Sequence, residues 1–433
     1  MRNPHKFVAL WMLFFAAATY AQNDSSVLSL SEALALGDKN NLAVQVGNQN
    51  KQSAQNDLQN AQSSLYPSLT FTSDLSRVGP NFRGDPYLNA ASRGSYQTKW
   101  SNVLGARWTL FDGMASWTSI DARKKQLGAT TAHNDLLIAQ LHLQITLTYY
   151  DIAQQQSLYA LRQQALQVSQ ERLRIAQAKR TMGAATLLEE QQAQLDRNAD
   201  SSVVLHQILI LSQSKQQLNW LLVRAYDSPL QVDTLLAIDT SLVREALWKQ
   251  VQDNSPALRE GRLRVQVAQT ESKTAQATLF PIVQAYANYN FLDQFDNPST
   301  PTEAHNQGLL FGLNLSIPVF EGGRSSIRLS NAKISVQQAT LQQQQLENQL
   351  QHDFNEAFNS YEQSLCTWKL EVENDSLAAT ALELAMGQFK IGALSSLDLR
   401  RVQESRATAG TNLYSARFQA KSAELALRYL AGL

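Results

Sequence analysis

The chain has 433 residues, with 37 Lys and Arg against 37 Asp and Glu, so its formal net charge is zero. That balance excludes the basic surplus by which proteins hold nucleic acid through its phosphates. Abundant Gln, Ala and Leu beside only 18 Gly and 10 Pro favour helix, and the length leaves room for an internal duplication.

The first expected element is an export signal. Arg2, His5 and Lys6 precede the apolar run Phe7 to Ala18, and Thr19-Tyr20-Ala21 offers a small-residue cleavage site. A run of about 12 apolar residues is too short to span a bilayer but suits a signal peptide over 1–21. Loss of Arg2 and Lys6 would leave 35 basic residues against 37 acidic. Gln22 rather than Cys would then lead the chain, which argues against a lipid anchor there. Cys366 is the only cysteine, so no internal disulfide or thiolate metal cluster is expected, and no cofactor. No later window holds the roughly 18 uninterrupted apolar residues of a membrane helix. An exported chain of this kind enters a membrane only by strands.

The rest reads as two copies of one plan. "NLAVQVGNQNKQSAQNDLQNAQSSLYPSL" from Asn41 matches "SPALREGRLRVQVAQTESKTAQATLFPIV" from Ser255: Ala43 falls on Ala257, Ala54 on Ala268, Leu65 on Leu279 and Pro67 on Pro281. Further on, Gly183-Ala184 falls on Gly392-Ala393 and Leu218 on Leu427, at a new constant offset. The expected repeats are 22–226 and 227–433. In each, a helical stretch leads to a β-hairpin (about 67–111 and 281–320), then a long helix (114–182 and 323–391), a glycine tip (183 and 392) and a last helix (184–225 and 393–431).

The hairpin residues alternate. Leu69, Phe71 and Leu75 interleave with Thr70, Thr72 and Asp74; Trp100, Leu104, Ala106, Trp108 and Leu110 interleave with Ser101, Arg107 and Thr109. Val283, Ala285, Ala287, Tyr289 and Phe291 do the same against Gln284, Asn288 and Asn290, as do Leu309, Phe311, Leu313 and Leu315 against Gly312, Asn314 and Ser316. Period two gives one apolar and one polar face, and about 10 residues suffice for a tilted strand to cross a bilayer. A half-buried soluble sheet alternates in the same way; the export signal and the two matched hairpins favour membrane strands. The segments Val78–Lys99 and Asp293–Asn306, with their Gly, Pro, Asn and Ser, read as the outer loops. Four strands cannot close a barrel, and an open edge cannot face lipid, so the chain must associate. Three copies would bring twelve strands and two copies eight.

Each second strand ends on Phe, an acid and Gly: Phe111-Asp112-Gly113 and Phe320-Glu321-Gly322. Glycine permits a sharp change of direction and the acid suits a helix N-terminus, so these are the expected strand-to-helix exits. From Gly113 to Gly183 and from Gly322 to Gly392 a continuous helix would rise about 100 Å. Coiled-coil steps such as Leu158, Leu161, Ala165 and Val168 mark packed seams, and Gln-rich faces fit the wall of a water-filled tube. At the tips, Gly183 and Gly392 end one helix, and Thr186 with Glu189 and Ser395 with Asp398 start the next as capping boxes.

With these features in order, the chain resembles the TolC-like outer-membrane efflux channels over nearly all of Leu28 to Leu433. The resemblance implies a mainly α fold with membrane β, internally duplicated. It implies a homotrimer whose four β-strands per protomer share a 12-stranded outer-membrane barrel above a long α-helical periplasmic tunnel. It also implies a passive conduit, docked to a periplasmic adaptor protein and through it to an inner-membrane transporter. The family's adaptor-contact pattern, aliphatic-Gly-small, falls on Met182, Gly183 and Ala184 and on Ile391, Gly392 and Ala393. Its closing network just after the second tip glycine would place an acid at Asp398. Leu394 stands where an Arg is expected and Arg401 where an Asp is, so a latch here would be rewired among Asp398, Arg400 and Arg401.

Two other readings compete. The six histidines are scattered, and no HExxH, phosphate loop or dinucleotide turn supports an enzyme. An envelope-anchored helical structural or adhesive protein would share the helices but conduct nothing. Within the channel class, efflux of small molecules or drugs is the favoured expectation and type I protein secretion the alternative.

Overall fold

A computed structural model describes residues 27–78, 97–295 and 303–433. The expected signal peptide and most of both outer loops lie outside the described residues. The elements run α1 (Leu30–Asn40), α2 (Leu42–Ser63), β1 (Ser68–Val78), β2 (Gln97–Phe111), α3 (Ala115–Thr181), α4 (Leu187–Leu221), then α5 (Arg244–Asn254), α6 (Pro256–Ala277), β3 (Ile282–Phe295), β4 (Glu303–Ser316), α7 (Arg324–Lys390) and α8 (Ser396–Leu430). The second set copies the first. Both long helices have 67 residues and both last helices 35.

The helical stretch before each hairpin is two helices rather than one. The break falls at equivalent positions for different chemical reasons. Asn41 leaves the helical region and its side chain caps the Ala43 N–H. Ser255 is extended because Pro256 crowds the residue before it.

The four strands form one antiparallel sheet in the order β1-β2-β3-β4, so β1 and β4 are free edges. Ser68 pairs Arg107, Arg107 pairs Tyr286, and Tyr286 pairs Gly312, which fixes the rows across the sheet as far as Thr109. The strands are longer than expected, running into the segments read as loops: Gln97 to Lys99 belong to β2 and Glu303 to Asn306 to β4.

In the second hairpin, expected at about 281–320, β4 ends at Ser316, whose partner is Ile282 at the start of β3. Beyond it, Pro318 has no N–H to donate to a ladder, and Ile317 to Glu321 run as irregular chain to the next helix. In the first hairpin β2 reaches Phe111 itself, after a register shift between Thr109 and Phe111.

The chain divides into two compact units. Among described residues, the first comprises 27–37, 145–237 and 371–418. Tyr149 anchors its leading segment: the buried hydroxyl donates to the Leu28 carbonyl at 2.8 Å and accepts the Asp233 N–H at 3.1 Å, beside a parallel bridge of Leu28 with Val232. The second unit comprises 38–78, 97–144, 238–295, 303–370 and 419–433, and holds the sheet. Its core packs Leu247, Val251, Phe354, Phe358, Tyr361 and Leu427. Tyr361 donates to the Asp239 carbonyl at 2.6 Å, and the buried Glu424 carboxylate takes Lys421, Arg428 and the Asp239 N–H. No helix among the described residues is long and apolar enough to cross a membrane.

Candidate functional site

The two tips are built alike. At the end of α3, Gly183 takes a left-handed φ of 75°; its N–H bonds to the Arg180 carbonyl at 2.9 Å and that of Ala184 to the Lys179 carbonyl at 2.8 Å. At the end of α7, Gly392 has φ 81°, with Gly392 bonding to Phe389 at 3.1 Å and Ala393 to Gln388 at 2.9 Å. Both are Schellman turns, which satisfy carbonyls that a helix end leaves open. A Cβ on either glycine would meet nothing, so glycine is required here by backbone conformation and not by space.

The next helices start on unequal caps. Thr186 and Glu189 make the full reciprocal box, each side chain taking the other's backbone N–H. Asp398, one methylene shorter, takes the Ser395 hydroxyl at 2.7 Å while its own N–H bonds to that oxygen at 3.1 Å.

The tips touch within the first unit. Lys179 sits over the Phe389 ring at 4.8 Å, and Phe389 packs with Ala385 and Leu399. Leu394 joins this cluster, which accounts for an aliphatic side chain at a position where the resemblance implies Arg. Outside it, Met182 (74% exposed), Leu188 (73%), Ile391 (81%) and Leu397 (63%) show water an apolar surface.

The three residues named for a gate separate into two places. Asp398 and Arg401 lie together, 3.7 Å apart and one turn from each other near the start of α8. Arg400 turns away. It bonds Asp200 of α4 at 2.8 Å and Glu404 at 2.9 Å. Burial pulls its pKa down, but the Asp200 bond, with the attraction of Asp200, Asp196 and Glu404, outweighs this, and the net shift is upward.

Arg400 thereby belongs to a buried polar cluster that sequence reading missed. Ser169 and Gln403 are enclosed and both hydrogen-bond Asp200, and Gln403 also donates to Ser169 at 2.6 Å. Arg172, 1% exposed, pairs with Asp196, while its Nε and Nη1 find no partner. The signal in the sequence is weak: Asp196 and Asp200 stand four apart on α4, as do solvated charges on any helix.

The strand exits each string together two left-handed residues, Gly113 (φ 67°) with Met114 (φ 70°), and Gly322 (φ 62°) with Gly323 (φ 82°). Gly113 also has a spatial need, since a Cβ there would fall 2.4 Å from that of Phe280. Asp112 accepts the Ser116 N–H at 2.8 Å, and Glu321 accepts the Ser325 hydroxyl, so each acid closes the first turn of a long helix. Phe111 and Phe320 are both exposed.

The sheet has two unlike faces. Leu69, Ala106, Ala287 and Phe311 form one row, and Phe71, Leu104, Tyr289 and Leu309 another, with Leu69, Phe71, Phe311 and Leu309 exposed. The opposite face carries Ser68, Arg107, Tyr286 and Gly312, then Thr70, Gly105, Asn288 and Leu310. Its glycines make room for neighbours: Tyr286 Oη lies 2.8 Å from where a Gly312 Cβ would sit, and Asn288 Oδ1 is equally close to that of Gly105.

Among the described residues, no group of three His, Cys, Asp or Glu is placed to hold a metal ion. Comparison with curated proteins finds no match. Solved structures do match in fold. The outer membrane protein VceC of Vibrio cholerae is 18% identical with TM-score 0.77, covering 93% of this chain and 96% of that one. The CmeC outer membrane channel of Campylobacter jejuni is 15% identical with TM-score 0.80, covering 93% and 85%. The open-state MtrE outer membrane channel of Neisseria gonorrhoeae is 17% identical with TM-score 0.75, covering 93% and 88%. The family model for outer membrane efflux proteins matches residues 32–217 and 247–433, once on each half. The chain belongs to the outer membrane efflux protein family.

Proposed function

We propose that the protein is the outer-membrane channel of a tripartite efflux pump, assembled as a homotrimer and acting as a passive conduit for small molecules. The observation that carries this is the four-stranded sheet with two free edges and an exposed apolar face. Free edges in lipid leave N–H and C=O groups unpaired, so copies must join β4 of one to β1 of the next until the ring closes. Three copies make a twelve-stranded barrel. Each repeat, 22–226 and 227–433, then supplies one hairpin and one long helical pair.

At the helical tips, Met182-Gly183-Ala184 and Ile391-Gly392-Ala393 form the docking site for a periplasmic adaptor. The exposed Met182, Leu188, Ile391 and Leu397 support this reading, because apolar side chains gathered at a helix end mark a contact surface. The adaptor links the channel to an inner-membrane transporter that drives the cargo. The Asp398 and Arg401 side chains are exposed, so each can pair with its counterpart on a neighbouring copy; such pairs between copies hold the closed state at the tip, and adaptor docking parts them.

Purified protein in a planar lipid bilayer tests the reading. Discrete single-channel steps are expected, and their absence over a range of protein amounts and voltages refutes the conduit.

A further inference from the structure

The polar face of the sheet carries an unbalanced charge, and we infer from it that Arg107 selects for anions in the strand section of the pore. The inference rests on the proposed conduit and adds its charge preference.

Three charged side chains stand on that face among the described residues of the four strands: Asp74, Lys99 and Arg107. Asp74 pairs with Ser101, two residues from Lys99 on the same face, so those opposite charges are diagonal neighbours and offset one another. Arg107 has no such counterpart. Its row holds Ser68, Tyr286 and Gly312. The rows on either side hold Thr70, Gly105, Asn288 and Leu310, and Thr109, Gln284 and Asn314. None of these is acidic. Arg107 is exposed and makes no ion pair with any described residue.

Arg107 lies four residues inside the inner end of β2, at Phe111. Its neighbours Ala106 and Trp108 belong to the apolar face, so Arg107 points away from lipid and into the lumen. A cyclic assembly repeats the residue once per subunit, which places a ring of guanidinium groups around the water column. Such rings favour passage of anions. A conduit biased by this ring would favour solutes bearing carboxylate, sulfate or phosphate groups over cationic ones of equal size.

The test is the reversal potential of the purified full-length protein in planar bilayers under a KCl gradient. Wild type is expected to reverse on the anion side, most strongly near 0.1 M salt, where fixed charge acts over about 10 Å, and weakly near 1 M, where it acts over about 3 Å. Arg107→Glu is expected to move the reversal potential to the cation side, Arg107→Gln toward zero, and Arg107→Lys to leave it in place. Channels that open in wild type and in Arg107→Gln with the same reversal potential overturn the inference while leaving the conduit intact. Absence of any channel in wild type overturns the conduit reading and this inference with it.

Discussion

Val223 and Gly432 occupy the same position in the same turn, one at the end of each repeat. Gly432 ends α8 with φ 70°, bonding Tyr429 at 3.1 Å, while Leu433 bonds Arg428 at 2.9 Å. Val223 follows α4 with φ 53°, bonding Trp220 at 3.1 Å, while Arg224 bonds Asn219 at 2.9 Å. A β-branched side chain crowds the carbonyl in this left-handed region, and glycine does not. Val223 is 48% exposed, so its removal sacrifices little packing. Val223→Gly is therefore expected to stabilise the protein by about 1 kcal/mol, because relief of strain exceeds the added freedom of the unfolded chain. A raised midpoint in thermal or denaturant unfolding checks this; a lowered one shows that the turn is not strained.

The tip glycines separate conformation from contact. Open space around Gly392 means that Gly392→Asn, which tolerates left-handed φ, should cost well under 1 kcal/mol. Gly392→Trp should cost about 1–2 kcal/mol for the same φ, leave the fold in place and abolish export by blocking the docking surface. Export from cells carrying each variant, beside the amount of protein in the outer membrane, checks the pair. Unimpaired export with Trp contradicts the docking role.

The Arg172 side chain depends on one carboxylate. Asp196→Ala leaves a guanidinium buried and unpaired, which should cost about 3–5 kcal/mol. Replacing both, as Arg172→Met with Asp196→Ala, should restore much of that loss, because an apolar pair needs no ionic partner. Denaturant unfolding of the single and double variants decides whether the pair or the packing matters.

Stability should also fall in strong alkali. Burial pushes the hydroxyl of Tyr149 above the ordinary tyrosine range, and burial does the same for Tyr361. Below the ordinary value both states keep the proton. As pH rises past about 10 the unfolded chain releases it first, so stability is lost up to the raised value of the folded state. The loss between pH 9 and 12, followed by denaturant midpoint, should be shallower in Tyr149→Phe and Tyr361→Phe.

Much of this arrangement is legible in the sequence because it rests on local rules. The alternation from Val283 to Phe291 names the strand and its faces, and Gly183 and Gly392 name the turns that only left-handed backbone can make. Position 318 shows the limit. The Phe-acid-Gly phrase continues to Phe320, yet the ladder stops at Ser316, because Pro318 has no N–H and β3 starts only at Ile282. The division of Arg400 from Arg401 was not legible either. Neighbouring helix positions point about 100° apart, and which one faces Asp200 depends on how α4 packs beside α8. The cluster of Arg172, Asp196, Ser169, Asp200 and Gln403 draws on three helices, and no spacing within one of them reports it.

The account stands on closure of the sheet by copies of itself, and the mass of the detergent-solubilised protein tests that most directly. Light scattering or ultracentrifugation corrected for bound detergent is expected to give three chains per particle, unchanged on dilution. A folded single chain, soluble in water without detergent, would contradict it.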